Sequence, residues 1–167
     1  MTETKKPTDL LSRLNNLNAQ ELRRLLATTA ASGERYGIGG YERYLIYRLA
    51  AETGLRASEL ASLAVGQFDW DNLKIELQAR HEKNRKGNTL PVRPDTAAEL
   101  RAFFANKLPT ARAFDRLSKH YTADMVREDL EAAGIPYIDE SGQVFDFHAL
   151  RGQCGTLLVA GGADMKT

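Results

Sequence analysis

The chain has 167 residues, 43% hydrophobic and 27% charged, with 23 Lys and Arg set against 22 Asp and Glu for a formal net charge of +1. That length supports one ordinary domain with its own core, the balance is globular rather than disordered, and no apolar run approaches the ~20 residues that cross a bilayer. A single cysteine, Cys154, excludes an internal disulfide and suits a reducing, cytoplasmic compartment, while one Cys and three scattered His are a poor basis for a zinc site.

Residues 1–16 read as a tail, and "MTETKKPTDL" has no apolar stretch behind its basic pair, so it is not read as a secretory leader. "LNAQELRRLLATTAAS" follows Asn18 with Glu21 three positions on, a capping box, and its Leu22, Leu25 and Leu26 stripe predicts a helix near 19–31. "SGERYGIGG" (32–40) is a Gly-rich loop with no strand before it, so it is not a phosphate-binding fingerprint. "YERYLIYRLAAETG" predicts a second helix that stops at Gly54. "RASELASLAVGQF" predicts a short helix over 56–68, and "DWDN" a turn. "LKIELQA" (73–79) alternates apolar and polar residues as a half-buried strand does, and "TLPV" (89–92) is its return strand. Further helices are predicted from Asp95 or Thr96, over 122–135, and from Phe147 or His148 to Gly161-Gly162, the last packing Leu150, Leu157, Leu158 and Val159 into the core. The fold class expected is α+β, mostly helical, with a small antiparallel hairpin or three-stranded sheet among the helices.

Local charge says more than net charge. "ARHEKNRKGNTLPVR" (79–93), which spans the predicted hairpin tip and the return strand, holds Arg80, Lys83, Arg85, Lys86 and Arg93 against one acid, Glu82. Such a stripe follows a phosphate backbone, or is simply a solvated hairpin. Arg56 stands at a helix start, where a cation opposes the positive end of the dipole; its plain reading is a pair with Glu59. His148 and Arg151, three apart, share one face of the last helix. Two Arg, one Lys and one His suit a phosphodiester: Arg offers planar paired donors, Lys a mobile charge and His a proton shuttle. No paired carboxylates accompany them, which argues against two-metal chemistry.

"AAETGLRASELASLAVGQFDWDN" (50–72) resembles the first catalytic box of the tyrosine recombinases, the phage-integrase type of DNA breaking-and-joining enzyme, and "HALR" (148–151) resembles the family's H-x-L-R box. The basic hairpin between them, ending in an apolar strand with Pro91, is similar too. The resemblance runs from about Leu17 to the last residue and implies the catalytic-domain fold of that family. It implies Arg56, Lys83, His148 and Arg151 as catalytic residues, with Lys86 the other choice for the lysine, and Arg80, Arg85 and Lys86 as DNA-binding residues. It implies double-stranded DNA as partner, no cofactor, no metal and no membrane. The reaction implied is site-specific recombination through a 3′-phosphotyrosyl intermediate, as a homotetramer on DNA.

Two features depart from the family pattern. The H-x-L-R box continues here as Gly152-Gln153-Cys154 rather than a His-Thr pair and an aromatic. Sixteen residues follow Arg151 and none is Tyr; the tyrosines at 36, 41, 44, 47, 121 and 137 all precede it. The chain therefore reads as residues 17–167 of a catalytic domain, without a core-binding domain before it or a nucleophile segment after it. It is expected to be inactive alone and monomeric. The alternatives are a non-catalytic DNA-binding remnant of an integrase and a helical protein-interaction module.

Overall fold

The computed structural model describes residues 17–77, 88–138, 140, 142, 144–151 and 153. Helix α1, Ala19–Ala30, begins with the capping box read from the sequence. The Asn18 side chain accepts from the Glu21 N–H at 2.7 Å, and the Glu21 carboxylate accepts from the Asn18 N–H at 3.1 Å. Leu22, Leu25 and Leu26 are buried, as their spacing predicts.

Helix α2, Gly40–Thr53, is the centre of the fold. It packs against α1 and against the helices introduced below as α3, α4 and α6. Its start requires glycine: a Cβ on Gly40 would lie 2.2 Å from the Ser32 carbonyl oxygen and 2.5 Å from that of Thr29. Its end also requires glycine. Gly54 is left-handed at φ 78°, and its N–H closes the last turn onto the Ala50 carbonyl at 2.9 Å. Between these points Leu45, Ile46, Tyr47, Leu49, Ala50 and Ala51 are fully buried.

Helix α3 is Ala57–Ser62, shorter than the 56–68 expected. Tertiary hydrogen bonds take over after Ser62: the Val65 N–H donates to Ala111, the Gly66 N–H to Pro109, and Leu63 accepts from the Ala113 N–H at 2.7 Å. Val65–Gln67 forms a single 3-10 turn. Phe68–Asp69 is then strand β1, a correction to the reading of Phe68 as the end of a helix. Strands β2, Lys74–Glu76, and β3, Thr89–Pro91, complete an antiparallel sheet of order β1-β2-β3, with Phe68 opposite Ile75 and Ile75 opposite Leu90. Both predicted arms of the hairpin are present. Its basic tip, carrying Arg80, Lys83, Arg85 and Lys86, lies outside the described residues.

Helix α4, Pro94–Phe103, starts with Pro94 in the first turn, where its missing N–H costs nothing. Helix α5 is Thr122–Ala132, and Gly134 at φ 73° turns the chain after it. Helix α6 is described over Phe147–Leu150, with Leu150 fully buried. Its predicted continuation, with Leu157, Leu158 and Val159, lies outside the described residues. The architecture is the mostly helical α+β one expected. Among the described residues no helix is long and apolar enough to cross a membrane.

A buried ion pair ties the helices together. Arg43 of α2 is fully buried and Asp129 of α5 is 1% exposed. Arg43 Nε and one terminal nitrogen donate to the two Asp129 oxygens at 2.8 and 2.9 Å, and the Tyr47 hydroxyl donates to the same carboxylate at 2.5 Å. The second terminal nitrogen donates to the carbonyls of Gly33 and Ile38, and the one bound to Asp129 also donates to the Ser32 hydroxyl, so every donor of the fork is used. Burying this charge is tolerable only because it is fully paired. The same Tyr47 ring packs edge-on to Phe147 of α6, with centroids 6.3 Å apart.

Candidate functional site

Arg56 is the residue immediately before α3, held extended at φ −76°, ψ 160°. Its backbone N–H donates to the Glu59 carboxylate at 2.8 Å. The plain reading of Arg56 and Glu59 as an ion pair is therefore replaced by half a capping box: Glu59 holds the main chain, and the guanidinium stays exposed with no carboxylate partner among the described residues. The α3 dipole favours anions at this point, so the exposed guanidinium and the helix start both attract negative charge.

Asp146 caps α6, its side chain accepting from the Ala149 N–H at 3.1 Å. The cap places His148 in the first turn and Arg151 just past the described helix. Phe147, Ala149 and Leu150 face the core, so His148 and the half-buried Arg151 point the other way. Arg151 Nε donates to the carbonyl oxygen of Gly54 at 2.5 Å, and a terminal nitrogen lies 3.3 Å from His148 Nδ1. Arginine only donates. Nδ1 is therefore the acceptor in that contact, which puts the proton of a neutral His148 on Nε2.

Arg56, His148 and Arg151 line one open cleft of about 280 Å³. One water occupies ~30 Å³ in the liquid, so the cleft has room for a small polar group. Of the sequence-predicted catalytic set, these three meet; Lys83 lies outside the described residues, as do the predicted DNA contacts Arg80, Arg85 and Lys86.

Three contributors escaped the sequence reading. By sequence Gly54 is only a helix stop, yet its carbonyl is what anchors Arg151. Asp146 sits on the cleft wall as well as capping α6, and Lys119, from the segment before α5, lines the same cleft. The Asp146 signal was available in the sequence, because an Asp three residues before Ala149 is an N-cap pattern. Nothing local marks Lys119. The departure after the H-x-L-R box also acquires a role: Gln153 is fully buried, and its side-chain oxygen accepts from the Leu17 N–H at 3.4 Å, joining the end of the described chain to its beginning.

None of the six tyrosines lines this cleft. Tyr47 is bound to Asp129, Tyr44 donates to Glu99 at 2.8 Å, and Tyr36 donates to Glu128. Burial pushes the Tyr44 hydroxyl up to about 12 and that of Tyr47 well above its ordinary value, the opposite of what activates a phenol as a nucleophile.

The chain is similar to known recombinases at three levels. Two curated relatives, the tyrosine recombinases XerC of Bifidobacterium longum (strain DJO10A) and of Bifidobacterium longum subsp. infantis, are each 26% identical to it over 138 residues, which covers 72% of this chain and 37% of theirs. The chain thus spans little more than a third of the length of those relatives. The crystal structure of XerA recombinase superposes with a TM-score of 0.66 at 20% identity, covering 99% of this chain and 55% of that one, which establishes a shared fold. The family model for the phage integrase family matches residues 15–167, nearly the whole sequence, and the chain therefore belongs to the phage integrase family of tyrosine recombinases.

Proposed function

We propose that the cleft formed by Arg56, His148 and Arg151 holds a phosphodiester of double-stranded DNA. In this reading the chain is the phosphate-gripping part of a site-specific recombinase. The observation that carries it is the convergence of two arginines and a histidine, distant in sequence, on one solvent-open cleft.

The chemistry follows from the donors. The Arg56 guanidinium and the terminal nitrogens of Arg151 grip the two non-bridging oxygens, on which negative charge grows as a fifth oxygen approaches phosphorus. His148 donates from Nε2 to one of those oxygens in the resting state. As general base it takes the attacking hydroxyl's proton on Nε2 from the tautomer that carries its own proton on Nδ1, after that nitrogen parts from Arg151. Lys83 is proposed to protonate the leaving 5′-oxygen, and Arg80, Arg85 and Lys86 to follow the backbone beside it. The attacking tyrosine hydroxyl forms a 3′-phosphotyrosyl bond as the 5′-oxygen leaves. A second strand's 5′-hydroxyl then reverses the step, so bond energy is conserved without a cofactor. These 167 residues do not supply that tyrosine at the cleft. In the whole recombinase it is proposed to come from a further segment, within a homotetramer assembled on nucleoid DNA. The isolated chain binds without cleaving.

The test is equilibrium binding of the 167-residue chain to a labelled duplex, together with a denaturing gel for covalent adducts. Salt-sensitive binding that weakens in both Arg56→Ala and Arg151→Ala, with no adduct, is expected. Absence of DNA binding, or affinity unchanged in both variants, overturns the reading and favours a protein-interaction module.

A further inference from the structure

We infer that Lys119 is a further phosphate-contacting residue of this cleft, gripping a DNA phosphate next to the one held by Arg56 and Arg151. The inference rests on the reading of the cleft as a phosphodiester site.

Lys119 belongs to neither sequence box. It lies in the connection that leads into α5 and lines the cleft together with Arg56, His148 and Arg151. The connection is a built turn. Leu117 and Thr122 on either side are buried, at 3% and 7% exposure. The Tyr121 N–H donates to the Ser118 carbonyl at 3.1 Å, the His120 N–H to the Ser118 hydroxyl at 3.2 Å, and the Thr122 hydroxyl to the Lys119 carbonyl at 3.2 Å. The main chain of Lys119 is thus held at the cleft while its side chain stays exposed.

Charge gives the direction. Among the described residues no carboxylate pairs with Lys119, Arg56 or Arg151, while Arg35, Arg43, Arg48, Arg93, Lys74, Lys107 and Arg127 have acid partners. Arg24, Arg101, Arg112 and Arg116 share the unpaired condition, but only the first three meet at one cleft. The one acid on the cleft wall, Asp146, is engaged at the start of α6. Three cations against the single carboxylate of Asp146 leave the cleft with an excess of positive charge, and an anion spanning the cations offsets their repulsion. Beside the scissile phosphate, the next anions along DNA are its neighbours on the same strand, spaced along the axis by ~3.4 Å. Arginine forks suit the phosphate whose geometry changes during reaction. A lysine, a point charge on a flexible stem, suits a phosphate that need only be held.

The test uses the full chain, a labelled mixed-sequence duplex and the variants Lys119→Ala, Lys119→Gln, Lys119→Arg and Arg56→Ala, with Kd measured from about 50 to 200 mM salt. Lys119→Ala and Lys119→Gln are expected to bind more weakly and to flatten the slope of log affinity against log salt by about 0.9, the value of one phosphate contact. Lys119→Arg is expected to keep the slope. If Arg56→Ala weakens binding while Lys119→Ala keeps wild-type affinity and slope, Lys119 is a solvated charge and only this inference falls. If Lys119→Arg loses as much slope as Lys119→Ala, a charge contact is refuted as well. If Arg56→Ala also binds like wild type, the reading of the cleft itself fails.

Discussion

Arg151 Nε donates to the main-chain carbonyl of Gly54 at 2.5 Å, across 97 residues of sequence. The bond joins the two boxes that carry the family resemblance. Gly54 presents its carbonyl this way because it is left-handed, at φ 78°. The same residue ends α2, delivers the chain to Arg56 two positions on, and fixes the guanidinium of Arg151. With Nε spent on Gly54, the terminal nitrogens remain for His148 and the cleft.

Gly54→Ala tests that dependence. A side chain in the left-handed region costs about 1–2 kcal/mol, and each kcal/mol lowers the Tm of a domain this size by about 2–4 °C. DNA affinity is expected to fall beyond what the lost folded fraction explains, because the carbonyl that aims Arg151 moves. Arg151→Lys is expected to weaken binding with little change in Tm, since lysine has no fork to serve Gly54 and phosphate together. Wild-type affinity in both variants would separate the Gly54 contact from DNA binding.

In a nucleophile-bearing recombinase containing this domain, Arg56→Ala and Arg151→Ala are each expected to lower the cleavage rate by about 10²–10³, the loss seen when one oxyanion donor is removed. Lys83→Ala is expected to reduce cleavage strongly, and Lys86→Ala to weaken binding with cleavage of the bound complex retained. Single-turnover cleavage at saturating protein separates the two lysines, and the reverse ranking reassigns the general acid to Lys86.

The Arg43–Asp129 pair is expected to dominate stability. Removing one partner of a buried pair strands the other charge and costs about 3–5 kcal/mol. Asp129→Ala leaves Arg43 buried against carbonyls and hydroxyls alone, so urea denaturation is expected to shift by that amount or the variant to be recovered unfolded. An Asp129→Ala protein with wild-type stability would show that the surrounding carbonyls suffice for Arg43.

Alkaline pH offers a check on Tyr47. Burial first, then the Asp129 charge and the hydrogen bond to it, hold its hydroxyl proton well above the ordinary tyrosine range. The unfolded tyrosine titrates near 10. Below that pH both states carry the proton and stability is unaffected. Above it the unfolded state binds fewer protons than the folded one, so stability falls as pH rises. Tyr44, pushed up to about 12, acts in the same direction. Tyr47→Phe is expected to lose about 1.5 kcal/mol at pH 8, the worth of a hydrogen bond to a charged acceptor, and to show a shallower decline from pH 9 to 11 by urea denaturation. Equal slopes in the two proteins would remove Tyr47 from the alkaline transition.

The local pieces and their order are legible in the residues alone. Asn18 and Glu21 announced α1, Gly54 announced the end of α2, and the alternation in "LKIELQA" announced β2, because capping, left-handed turns and pleat act over two to four residues. The two boxes, quoted in order with a basic hairpin between them, were enough to point to the phage integrase family. Other features arise from long-range packing. Phe68 joins a sheet rather than a helix because the Val65 and Gly66 N–H groups find Ala111 and Pro109, more than forty residues away. Arg43 is a core residue rather than a surface charge because α5 brings Asp129 to it. Arg56, Lys119, His148 and Arg151 line one cleft because α2 buries its faces against α3 and α6 while α5 packs on α6. No short-range pattern encodes such meetings: they depend on which apolar faces pack together, and packing is a property of the whole chain.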